Sequence, residues 1–444
     1  MKKNVLKKIA ALSAAAMLAL PMATTAFAEA DEVFVPEFNS GVDENIEGEI
    51  TIYIYYADSS IDIVDRTVAK MNKKYPNLKI NIEHRADSDG SAVKTWAAVG
   101  ELPDIINIPS ADTYDTLLEN GDLYALDAEI EDTGYYDYFI NGDLYKEAHT
   151  EEKDGKTYSF GNDATNVVTF YYNKSVFEEL GLSEPTNYDE FKNCITTLKD
   201  AGKIPIALFA AEQWPGMAIY ENAVIAEGQP KASNAVNDGE ATYADEAYIK
   251  AADKFAEIAE LGAFGTGALS TNASQAFELE STGQAGFVVN GSWHWSTIET
   301  DGYGDNIGWC HYNVFADADK AEEVKNQRVG GAINKHNLHI NANPPSGLDV
   351  STVARLGLEF DYFMKYVSGE KGLRTTAKGD FQLDGSDAYK DFDSCYADIE
   401  SFTTFPQDMT NGELVSALGN GVEMMVTGNY TGADFIDDMQ ANGF

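Results

Sequence analysis

The sequence predicts an α/β protein of two lobes, each a mainly parallel sheet flanked by helices. Three observations predict it. The chain has 444 residues, more than one hydrophobic core organises and enough for two domains. From residue 49, short β-branched runs alternate with amphipathic helical patterns as β-α-β-α-β-α, the order of a parallel sheet covered on both faces. The same alternation starts afresh near residue 166, which asks for a second sheet.

Each element carries its own signal. Residues 49–56 (EITIYIYY) form a buried strand. After Asp58-Ser59-Ser60 a helix places Val64, Val68, Met71 and Tyr75 on one face and stops at Pro76. LKINIE (78–83) alternates Leu78, Ile80 and Ile82 as a strand, and a short helix follows over 93–99. PDIINI (103–108) is the third strand, with a helix closed by Gly121. The second set opens with NVVTFYYN (166–173) and a helix capped by Gly181. Thr186-Asn187 with Asp189 and Glu190 is a capping-box start to the next helix. IPIALF (204–209) and AGFVVNG (285–291) are further strands, on either side of a mostly helical stretch from 216 to 282. A helix spans about 353–367, and 384–444 reads as helices and loops.

Composition narrows the function. Lys2, Lys3, Lys7 and Lys8, the apolar run from Ile9 to Leu20, and Ala26-Phe27-Ala28 form a signal peptide cleaved after Ala28. No Cys follows that run to accept a lipid, so the expected product is periplasmic or extracellular and free of membrane insertion. Residues 29–47 are acidic and aperiodic, a flexible leader. The formal charge of −42 excludes nucleic acid and anionic membrane surfaces as partners. Cys194, Cys310 and Cys395 allow one disulfide whose pairing stays open, and Cys194 shares a helical face with Phe191, Ile195 and Leu198 as a buried thiol would. G-x-S-x-G is absent, and the six His show no ligand spacing. The expectation is no enzyme, no metal and no cofactor. Candidate carboxylate pairs carry no weight among 73 acidic residues.

Four blocks, in order, resemble the carbohydrate-type (family 1) extracellular solute-binding proteins of ABC importers, the class that includes maltose-binding protein. They are 48–56 with LPDIINI at 102–108; 154–208 with its YYNK, ELGL and AGKIPIAL elements; TGQAGFVVNGSWHWSTIE at 282–299; and VGGAIN at 329–334 before a helix ending in SGEKG. The resemblance implies a two-lobed, type II periplasmic-binding-protein fold. The N-lobe would take 48–161 and 333–383, the C-lobe 164–329 and 384–444, with hinges near 162–163 and 331–332. It also implies a monomer that closes on a sugar, an oligosaccharide in the first instance, and hands it to a membrane permease.

A pyranose presents an apolar C–H face and a rim of hydroxyls, so its site needs aromatic surface and planar polar groups. These should lie beyond the carboxyl ends of strands. Trp293 follows AGFVVN at a Gly turn, and GSWHW resembles a family motif whose first Trp stacks on sugar; Trp295 is expected to pack inward. Trp214 follows IPIALF and matches a position where the family often places an aromatic; cleft and core are both open to it. Asp112, four residues after PDIINI, is either a sugar ligand or a helix cap. Asp87 after the second strand, Tyr56 and Asp58 after the first, and Asn166 on the first strand past the hinge complete the neutral set. Arg85 and Arg328 are the cations that could meet an acidic sugar, with a surface charge as the plainer reading of each. Trp96 and Trp309 read as structural.

Overall fold

The computed structural model describes residues 34–444 apart from 56–59, 86–89, 109, 141, 152–153, 162–165, 331–336 and 397. The signal peptide, Tyr56, Asp58, Asp87 and both expected hinge points therefore lie outside the described residues. Among those described there are eight strands: β1 (Gly48–Ile54), β2 (Leu78–His84), β3 (Ile105–Asn107), β4 (Val168–Asn173), β5 (Ile204–Ile206), β6 (Ala285–Gly291), β7 (Ile307–Trp309) and β8 (Leu338–Ile340). They form two four-stranded sheets, ordered β2-β1-β3-β8 and β5-β6-β4-β7. The fold is thus α/β with two sheet-based lobes.

In the first sheet β1 runs parallel to β2 and β3, and only β8 is antiparallel. The second sheet departs from the expected parallel character. Only β5–β6 is parallel there, while β4 is antiparallel to both β6 and β7. Its β6 is buried at all seven positions. A run buried on both faces has no alternation, and nothing in it encodes which way its neighbour runs.

Each sheet has its own core. Ile50, Ile52, Ile54 and Ile105 of the first pack with Val64 and Met71 of the helix Ile61–Lys74 and with Leu356 and Phe360 of the helix Val350–Glu370. Around the second sheet, Phe170, Phe191, Phe287 and Phe315 interlock, four of their pairs edge to face and Phe170–Phe315 tilted, with ring centroids 5.2–6.2 Å apart. The helix Trp214–Ala226 has no polar face because it is enclosed by this core, and every residue from Pro215 on is buried.

The expected flexible leader is instead anchored from Val35 on. Phe38 is buried in the first core, the Ser40 hydroxyl meets Tyr75 Oη at 2.7 Å, and Lys74 Nζ donates to the Phe38 carbonyl. Acidity and aperiodicity exclude regular structure, but not docking by one buried aromatic ring. All three cysteines are free thiols, with Cys194 buried.

After β7 the chain returns to the first sheet as β8, then crosses again. Tyr389 and Phe392 of the helix Asp387–Tyr396 pack with Trp295 beside the second sheet. The two described flanks of the first two crossovers run side by side. Phe160 and Leu338 exchange backbone hydrogen bonds at 2.9 Å, and Val168 donates to the Val329 carbonyl at 2.9 Å.

Candidate functional site

Topology brings several of the expected residues to one edge of the second sheet. β5 and β6 end on the same side, and because β4 is antiparallel to β6, its entry pairs with the exit of β6 (Val168 opposite Gly291). Trp214 after β5, Ser292 and Trp293 after β6, and Asn166 before β4 consequently share that edge. Asn166 Oδ1 accepts from Ser292 Oγ at 2.8 Å, and the Ser292 N–H donates to the Val167 carbonyl at 2.8 Å. These bonds pin the turn that presents Trp293.

The turn sits on a glycine for a steric reason. A Cβ on Gly291 would lie 2.2–2.4 Å from the Trp293 ring, so only glycine lets the indole lie against the backbone. Trp293 packs at centroid distances of 5.6 Å against Trp214 and 5.6 Å against Phe405, yet it stays 42% exposed. A Trp this open cannot be a core residue. Trp214 completes the trio, 6.4 Å from Phe405, and its Nε1 donates to Glu212 at 3.3 Å. The helix carrying Trp214 starts from Gln213 at φ +58°, a left-handed conformation that costs a non-glycine residue free energy and marks a constrained corner.

Phe405 is an addition that the sequence did not signal. It comes from the C-terminal segment, more than 100 residues from Trp293, and no periodicity or motif surrounds it. Thr403 Oγ1 accepts from the Gly330 N–H at 2.9 Å, and Thr404 donates to Asn234 Oδ1 through its N–H and its hydroxyl. Those bonds tie the ring to the crossover flank. Trp295, in contrast, is fully buried and stacked on Tyr389 at 5.4 Å, as GSWHW suggested.

The corresponding edge of the first sheet is polar. Tyr55 follows β1, Arg85 follows β2, Asn107 ends β3, and Asn337 precedes the antiparallel β8. Arg85 Nε donates to Asn107 Oδ1 at 2.8 Å, Asn107 Nδ2 donates to the Asn337 carbonyl at 2.6 Å, and the Arg85 guanidinium lies 5.1 Å from the Tyr55 ring centre. Arg85 is thereby held in place rather than trailing in solvent, and Tyr55 is 59% exposed. Asp112 lies in the first turn of the helix Ala111–Asn120, exposed and paired with Lys94; the cap is Ser110, whose hydroxyl accepts from the Thr113 N–H. Arg328 is neither a surface charge nor a cleft cation. It is buried with its guanidinium on the carbonyls of His311, Lys325 and Gln327, and burial lowers its pKa to about 10. Trp96 stands edge-on to Tyr53, and Trp309 is buried with Nε1 on Asp391.

Comparison with known proteins gives the family. The model of the bacterial extracellular solute-binding protein family matches residues 57–336, more than half of the chain. The chain belongs to that family. Among curated relatives, the multiple sugar-binding protein of Streptococcus mutans is 27% identical over 203 residues, 44% of this chain and 45% of that protein. The solute-binding protein thus spans less than half the length of that relative in the matched region. Two solved structures share its fold along nearly their whole length. One, associated with xylan utilization by Caldanaerobius polysaccharolyticus, has a TM-score of 0.72 at 19% identity and covers 89% of this chain and 100% of that one. The other, a Bacillus licheniformis sugar transporter in complex with stachyose, has a TM-score of 0.63 at 15% identity, covering 88% and 98%.

Proposed function

We propose that this solute-binding protein captures an oligosaccharide between its two lobes, without cleaving it, and delivers it to the permease of an ABC importer. The observation that carries the reading is the trio of exposed Trp293 with partly buried Trp214 and Phe405, assembled from three distant segments at one sheet edge. Stacked against the C–H face of a pyranose, such rings exchange water for apolar contact while leaving the hydroxyl rim free. Asn166 and Ser292 beside them, and Arg85, Asn107 and Tyr55 at the other sheet edge, supply hydrogen-bonding groups for that rim. Asp112, in the first turn of the helix after β3, is assigned to the same site, and from the sequence alone so are Tyr56, Asp58 and Asp87. The pairing of Phe160 with Leu338 and of Val167 with Gly330 suits hinge bending near 162–163 and 331–332, with the lobes closing on the ligand.

The sugar-binding relative and the stachyose-bound neighbour support a carbohydrate ligand. The family's extracellular character supports export, and among the described residues no helix is long and apolar enough to cross a membrane. Uptake of a radiolabelled oligosaccharide by cells lacking the gene tests delivery. Loss of uptake, restored by the wild-type gene and not by Trp293→Ala, supports the proposal. Unchanged uptake contradicts delivery and leaves a receptor that reports sugar to a sensor.

A further inference from the structure

A second constellation is built from residues outside the aromatic trio. His311 follows β7, and its ring is held between two carboxylates. Nδ1 lies 3.1 Å from both Glu184 oxygens, whose Oε1 also accepts from the His311 backbone N–H at 2.7 Å, while Nε2 lies 2.8 Å from Asp391 Oδ2. Asp391 and Cys395 are four residues apart on the helix Asp387–Tyr396, hence on one face. One donor atom each from His311, Asp391 and Cys395 lies within 4.8 Å of the others, and all three residues reach solvent.

We propose that His311 Nε2, Asp391 and Cys395 bind a divalent transition-metal cation of the zinc type. An imidazole nitrogen, a carboxylate oxygen and a thiolate are a mixed donor set that such an ion accepts. Bond lengths of about 2.0–2.3 Å put the ligands of a tetrahedral ion roughly 3.5 Å apart, within reach of small side-chain rotations from the observed separations. The surroundings are those a ligand set requires. Glu184 takes the Nδ1–H and leaves Nε2 to the ion. Trp309 Nε1 donates to Asp391 Oδ2 at 2.9 Å, and the Trp309 ring lies 4.1 Å from the imidazole, fixing both first ligands from behind. On binding, the Cys395 thiol and the His311 Nε2–H each release a proton to solvent, and the His311–Asp391 hydrogen bond is replaced by two bonds to the ion. The ion would fasten the helix Asp387–Tyr396 to the end of β7. The backbone of Glu400 just beyond that helix pairs with Asn326 and Arg328, and the same segment goes on to carry Phe405.

The test is titration of the full mature protein, reduced and freed of metal by a chelator, with Co(II) as the probe. The expected result is one equivalent bound with a thiolate-to-cobalt charge-transfer absorption, displaced by Zn(II). The band should vanish in Cys395→Ser. It should persist in Glu184→Gln, which keeps all three ligands, with affinity lower by about tenfold. Circular dichroism reports whether each variant folds. Cobalt uptake without the thiolate band, as an acidic surface would give, overturns the site. So does a band that survives in Cys395→Ser, or an affinity that Glu184→Gln leaves unchanged.

Discussion

Trp293 owes its role to what surrounds it. Its ring rests on Gly291, Trp214 and Phe405 and keeps 42% of its surface open. Trp293→Ala should weaken oligosaccharide binding by about 2 kcal/mol, roughly thirtyfold, in a calorimetric titration. It should shift thermal unfolding little, because a half-exposed side chain contributes little to the core. Gly291→Ala makes the complementary test. The added Cβ must push the indole aside, so binding should fall by a similar factor although no ring is lost, and stability should drop by about 1–3 kcal/mol. Trp295→Ala should do the reverse, costing about 3–5 kcal/mol of stability as a buried aromatic with less effect on the site. Trp293 and Trp295 were separable only through the resemblance of GSWHW to a family motif whose first Trp stacks on sugar, because residues two apart share a face in a strand and no local period divides them. Phe405 was not, since its position depends on a chain return that no local pattern describes. Tyr55 is the exposed aromatic just past β1 among the described residues, and the expected Tyr56 lies outside them.

At the scale of elements, the helix Trp214–Ala226 begins with one ring of the trio and carries a buried acid. Glu221 accepts from the Ser233 N–H and hydroxyl, and burial, partly offset by those bonds, raises its pKa to about 7 from an ordinary 4.5. In that window the folded chain holds a proton that the unfolded chain releases. Stability therefore falls as pH rises from about 4.5 to about 7 and is level for this group above that, a change of about 3 kcal/mol. Urea denaturation of Glu221→Gln at pH 5 and pH 8 should show that slope removed relative to wild type; equal slopes would contradict the assignment. The long β-branched strands and glycine-capped helices were legible because each carries its own period and stop. β7 (IGW) and β8 (LHI) were not, since unlike β3 and β5 neither sits in a longer apolar run, and the direction of β4 was hidden by burial on both faces.

For the whole molecule, two sheets with separate cores are joined by crossovers whose described flanks pair at Phe160–Leu338 and Val167–Gly330. The proposed closure would turn the lobes about that line without breaking either core. Saturating sugar should lower the radius of gyration measured by small-angle X-ray scattering; an unchanged value would contradict closure. The central claim, capture of a sugar without turnover, is tested most directly by isothermal titration calorimetry. The mature protein would be titrated with a panel of neutral and acidic oligosaccharides, each mixture being assayed afterwards for cleavage products. The account predicts saturable one-to-one binding of at least one oligosaccharide, strongly weakened in Trp293→Ala, with the sugar recovered intact. Cleavage of any glycan, or no heat of binding across the panel, would contradict it.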